Sequence, residues 1–181
     1  MTMEVSRNNG TLEIKEIDPF LAELLRQIPE SGNPRAIPAA ERRLFSSPAN
    51  PETEKEICAE WKLYVEPELR RIFETATETV QGDLRQLNGN EKPFANCALR
   101  IPLGNSEAWL NALNRARLAL AAEFSFTEEE LSDHYRSPIG SRRDLGLFQV
   151  NFYGFLQEFI LREMECSTQP ASPNESTPPN E

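Results

Sequence analysis

The stretch Trp109-Leu110-Asn111-Ala112-Leu113-Asn114-Arg115-Ala116-Arg117-Leu118-Ala119-Leu120 decides the fold class. On a wheel of about 100° per residue, Trp109, Leu110, Leu113, Leu120, Ala121 and Phe124 share one arc, which is the spacing of a helix with a face to bury. Asn105 or Ser106 caps it, and it runs to about Phe124. Arg117 falls inside the apolar arc, and Asn114 lies on its far edge.

Beyond this helix, Ser125-Phe126 is a turn, and Thr127-Glu128-Glu129-Glu130 is a capping box that opens a short helix to about Tyr135. After a loop from Arg136 to Gly140, Ser141-Arg142-Arg143-Asp144 is a second capping box. It opens a last helix carrying Leu145, Phe148, Phe152, Phe155, Leu156, Phe159 and Ile160. The phenylalanine stripe of that helix has the spacing of a core face, with an exposed partner groove as the alternative.

Working towards the N-terminus, residues 90–105 read as a connection bearing Phe94, Leu99, Ile101 and Leu103. A long helix precedes it. Asn50-Pro51-Glu52 supplies a cap-plus-proline start, and Ile57, Trp61, Val65, Leu69, Ile72, Phe73, Ala76, Val80, Leu84 and Leu87 recur at spacings of three and four. Pro67 interrupts it with a kink or short break, and Asn88-Gly89 stops it. Residues 29–51 hold Pro29, Pro34, Pro38, Pro48 and Pro51 and read as a long connection, pinned by Leu44 and Phe45, with a helical turn at 39–43. Asp18-Pro19 starts the first helix, with Phe20, Leu21, Leu24, Leu25 and Ile28 on one face. Asn8-Asn9-Gly10 turns a hairpin of Met3–Arg7 with Thr11–Ile17. The expected fold is mainly α: a single-domain bundle of about five helices with a small N-terminal β-hairpin at its edge. The domain spans residues 1–165. The tail at 166–181, rich in Pro, Ser, Thr and Asn, is expected to be disordered.

The whole chain has 181 residues, with 29 Asp or Glu against 19 Lys or Arg, and a formal net charge of -10. An acidic field opposes phosphate binding, which argues against nucleic acid. Part of that acid, at Glu52–Glu56 and Glu128–Glu130, complements helix starts and says little about partners. A helix-turn-helix around Ser125-Phe126 would aim Glu128, Glu129, Glu130 and Asp133 at phosphates, so a transcription factor is disfavoured. No apolar run is long enough to span a membrane, and no signal-peptide core is present. Cys58, Cys97 and Cys166 then read as reduced thiols of a cytoplasmic protein.

No residue cluster specifies a reaction. The single histidine, His134, has no companions at metal-ligand spacing, so no metal and no cofactor is expected. A Cys58–His134 nucleophile pair lacks a supporting motif. Arg117 on an apolar face reads first as structural, paired with Glu68 or Glu158, and second as an anchor for a carboxylate or phosphate beside Asn114. Arg136, Arg142 and Arg143 form the best basic patch, beside the helix start at Ser141, where an anion could sit. Solvated surface is its plainer reading.

The segments Trp109-Leu110-x-Ala112-Leu113-Asn114-x-x-Arg117-Leu118-Ala119-Leu120 and Phe152-Tyr153-Gly154-Phe155-Leu156-Gln157-Glu158 resemble a bacterial family catalogued as domain of unknown function twenty-seventeen. Trp61 and Pro67-Glu68-Leu69 in a broken long helix fit the same order of parts, over about residues 12–165. The resemblance implies no catalytic residues. It implies a gene neighbourhood with ClpS, the Clp protease adaptor, and so a link to protein turnover. The function expected is a non-enzymatic interaction or regulatory protein with a protein partner. The alternative is a small-ligand binder or enzyme with a polar pocket around Arg117.

Overall fold

A computed structural model describes residues 3–33, 38–88, 97–132 and 139–165. It is mainly α, as the periodicity predicts. The tail at 166–181 and the residues Phe94, His134, Tyr135 and Arg136 lie outside the described residues.

Strands β1 (Glu4–Asn8) and β2 (Thr11–Ile17) pair antiparallel, with Val5 opposite Ile14 and Asn8 opposite Thr11. Asn9 at φ 45° and Gly10 at φ 75° supply the two left-handed positions of the tight turn between them. The hairpin is two thirds of a sheet. Cys97–Pro102, expected to be a connection, is strand β3, antiparallel to β2 with Ile101 opposite Leu12. Cys97, Leu99 and Ile101 are buried and alternate with exposed Ala98, Arg100 and Pro102, the period of a half-buried strand. A bulge at Glu16, with φ 54°, shifts the register between Ile14 and Ile17. It brings Ile17 into the core with Leu12 and Ile14. The outer edge of β3 is closed by a side chain. Gln86 donates Nε2 to the Arg100 carbonyl at 2.8 Å, and its Oε1 accepts from the Arg100 N–H at 3.2 Å, as a neighbouring strand would.

Helix α1 (Pro19–Arg26) starts where Asp18 accepts the Leu21 N–H at 2.9 Å, and Pro29 falls in the first turn of α2 (Ile28–Ser31). The proline-rich segment carries α3 (Pro38–Leu44), which packs on the central helix, and Phe45 is buried as expected. The Asn50 signal marks a turn instead of a helix start. Asn50 Oδ1 accepts the Glu52 N–H and the Asn50 carbonyl accepts the Glu54 N–H, so α4 (Lys55–Glu60) begins later. The break expected near Pro67 is a π-helical turn, Trp61–Val65, directly before α5 (Glu66–Leu84). One inserted residue opens the hydrogen-bond ladder and accommodates the proline, whose own N–H is missing.

Helix α6 (Ser106–Phe124) is central and packs on α5, α3, α2 and on α8 (Arg142–Glu165). Contact on so many sides buries more than one arc: Ala112, Arg115 and Ala119 are buried as well as Trp109, Leu113 and Leu120. Trp109 donates its indole N–H to Asp83 of α5 at 2.9 Å, and Tyr153 of α8 donates to the Leu24 carbonyl of α1 at 2.7 Å. Both capping boxes form as read, Thr127 with Glu130 at the start of α7 (Glu128–Ser132) and Ser141 with Asp144 at the start of α8.

Candidate ligand pocket at Arg115

The basic residue that α6 buries most deeply is Arg115, at 5% exposure. It shares a helical face with Ala108, Ala112 and Ala119, whose small side chains let α5 and α3 approach. Its Nη2 donates to Thr77 Oγ1 at 2.6 Å, and the Thr77 hydroxyl donates in turn to the Phe73 carbonyl at 2.8 Å. The guanidinium carbon stands 4.7 Å from the centroid of the Phe73 ring. Nε is buried without a partner, and among the described residues no carboxylate is within ion-pair distance. Burial therefore pulls the guanidinium pKa down to about 10, still charged at neutral pH.

Arg115 lines a cavity of about 340 Å³ between α2, α5 and α6, and Phe45 and Phe73 form part of its wall. Arg70 also lines it, but this arginine is neutralised. It pairs with Glu41 and with Glu66, the latter at 2.7 Å, and lies 3.8 Å over the Phe45 ring. Three exposed glutamates, Glu30, Glu74 and Glu78, complete the acidic side of the lining.

The residues singled out in the sequence lie elsewhere. Arg117 is half-buried between α6 and α8, and its expected carboxylate partner is replaced by an amide: Nη1 donates to Gln157 Oε1 at 2.6 Å. Gln157 Nε2 completes the link by donating to the Leu110 carbonyl at 3.2 Å. Gly154 makes room for the guanidinium, since a Cβ there would stand 3.3 Å from Arg117 Cζ. Glu68 is exposed and bonded to Arg71 at 2.9 Å, and Asn114 and Glu158 are exposed. None of these four residues lines the cavity at Arg115. Arg142 and Arg143 are engaged internally. Arg142 reaches Glu123 at 2.7 Å, while Arg143 donates to the Phe124 carbonyl at 2.7 Å and to Glu130 at 2.6 Å. Asp144 already occupies the start of α8, accepting from the Ser141 hydroxyl at 2.8 Å and the Gly140 N–H at 3.2 Å. Of the phenylalanine stripe, Phe152 and Phe159 are buried, Phe148 is half-buried and Phe155 is 49% exposed.

Arg115 lies off the leucine arc that carries Arg117, so apolar spacing does not single it out. The available signal was a lone arginine at i+3 from Ala112 and i−4 from Ala119, on a face of small residues. No group of three or more His, Cys, Asp or Glu that could hold a metal ion occurs among the described residues. None of their helices is long and apolar enough to cross a membrane.

Fold and pocket together define a mainly α protein in which a small antiparallel sheet and a wrapped central helix support an arginine-lined cavity. The chain belongs to the family whose model is described as Domain of unknown function (DUF2017), matched over residues 10–164. No curated protein and no solved structure matches it.

Proposed function

We propose that the protein is a non-enzymatic interaction or regulatory protein of the cytoplasm, and that α4, the π turn and the start of α5 form its docking arm. The observation that carries this reading is exposure. Ile57, Leu63, Tyr64, Val65 and Ile72 are between 43% and 70% exposed along one helical arm. The arm packs chiefly on its own continuation into α5. A run of large apolar side chains left in water marks an interaction surface more often than an accident of composition. Glutamates at 52, 54, 56 and 60 flank it against Lys55 and Lys62, while Glu66 and Glu68 are paired within α5 with Arg70 and Arg71. The partner chemistry that fits is a basic amphipathic segment, its apolar face on the arm and its Lys or Arg on the flanking acids. The gene neighbourhood implied by the family resemblance makes a component of Clp-dependent turnover the first partner to test.

A photo-crosslinking residue at position 64, followed by binding measured between the two purified proteins, tests the arm. The expected result is a defined partner whose affinity falls at least about tenfold, 1.4 kcal/mol, in a Leu63→Ser, Tyr64→Ser variant and also falls with added salt. A partner indifferent to that variant overturns the reading. So does a concentration-dependent dimer abolished by it, which assigns the arm to a second copy of the chain.

A further inference from the structure

A buried guanidinium with no carboxylate beside it is costly unless something else compensates its charge. Phe73 offers its ring face and Thr77 one hydroxyl, which leaves the guanidinium Nε without a partner and the charge without a counter-ion. The side chain that bears this deficit is the same one that lines the 340 Å³ cavity. Nε is sealed and Nη2 already holds Thr77, so an anionic group entering there would meet the remaining outer N–H groups of a guanidinium fixed in place by Phe73 and Thr77.

The rest of the lining narrows the choice. Arg70 is already paired with Glu41 and Glu66, so the cavity offers one uncompensated positive charge, too little for a phosphate or polyphosphate. Glu30, Glu74 and Glu78 add negative potential that repels a bare anion and attracts an amine. Phe45 and Phe73 favour an apolar body between the two ends.

We infer that this cavity binds a small zwitterion, its carboxylate on Arg115 and its amine towards the lining glutamates. An α-amino acid with an apolar side chain is the simplest such molecule. Site and inference stand apart from the docking arm's exposed apolar side chains, Ile57, Leu63, Tyr64, Val65 and Ile72, none of which lines the cavity.

Isothermal titration of the full chain with L-phenylalanine, phenylacetate, phenethylamine and inorganic phosphate tests this directly. L-phenylalanine is expected to bind and to raise the melting temperature. Phenylacetate and phenethylamine, each lacking one charge, should bind at least tenfold more weakly, and phosphate should not bind. Arg115→Met should abolish binding, and Arg115→Lys should weaken it at least tenfold. Glu78→Gln, at an exposed position that leaves folding intact, should weaken L-phenylalanine while leaving phenylacetate unchanged or tighter. Leu63→Ser, Tyr64→Ser should bind L-phenylalanine as the wild type does, which separates this site from the arm. Failure of L-phenylalanine to bind at millimolar concentration overturns the inference. So does binding unaffected by both Arg115→Met and Glu78→Gln, or a preference for phosphate.

Discussion

Two arginines on α6, two residues apart, show how a neighbour's chemistry sets a side chain's role. Arg117 meets the neutral Gln157, so removing its charge strands no carboxylate. Arg117→Met should therefore cost about 1–2 kcal/mol in urea unfolding, the value of one charge-assisted hydrogen bond less the packing that the Met stem retains. A loss of about 3–5 kcal/mol would instead mean a broken buried ion pair. Gly146 presents the opposite problem, one of space. A Cβ there would sit 2.5 Å from Phe124 Cε2, and the ring is already stacked on Phe126 at 5.5 Å. Gly146→Ala gains up to about 1 kcal/mol of helix propensity but forces the ring aside, and overpacking of this kind costs about 1–3 kcal/mol. Net destabilisation is expected. In a Phe124→Ala background the same substitution should become neutral or stabilising, and a double-mutant cycle by chemical denaturation reads the difference.

At the scale of elements, the corner joining α6, α7 and α8 is held by charge. Glu130 is kept below the ordinary carboxyl pKa chiefly by the Thr127 backbone N–H, then by Arg143. Asp144 is kept low by the Ser141 hydroxyl, then by the Gly140 N–H. For a depressed carboxyl, the stabilisation is complete above its unfolded value, here 4.5 and 3.8, and disappears as pH falls through the lower folded value. The difference in melting temperature between the wild type and Glu130→Gln, Asp144→Asn should thus be largest at neutral pH and shrink below about pH 4. A difference that stays constant down to pH 2 would refute the assignment. Both capping boxes were legible because their partners are three residues apart. β3 was not, although Cys97, Leu99 and Ile101 alternate. Its pairing with Leu12 and Ile14 joins residues nearly half the chain apart, and a short lone strand gives no local sign of a distant partner. The Asn50-Pro51 signal misled for a related reason: an Asx turn and a helix cap use the same side-chain geometry, and the chain beyond decides between them.

Across the whole molecule the apolar periodicity of residues 57–87 identified a helix correctly but not how much of it meets the core. Only Ala76, Val80 and Leu84 of α5 are buried, whereas Ile57, Val65 and Ile72 stand in solvent, because the spacing of a face carries no information about what covers it. The same blindness hid Arg115: α6 is covered on several sides, so one arc could not contain its buried set. Coverage also sets local stability. The core joins β2, α1, α6 and α8 through Leu12, Leu25, Trp109, Leu113, Tyr153 and Leu156, and opening any of them breaks contacts across the fold. Residues 55–65 have no buried side chain, and their π turn has already given up regular helical hydrogen bonding. Hydrogen exchange should separate the two regions. Amides of residues 58–65 should exchange through local opening, with protection well below that of residues 110–120, which should open only with global unfolding. A partner that docks on the arm must order it, so the same amides should gain protection on binding while those of α6 stay unchanged. Protection in the free protein equal to that of α6 would show that the arm is already held by the core, and would remove the basis for reading it as a surface awaiting a partner.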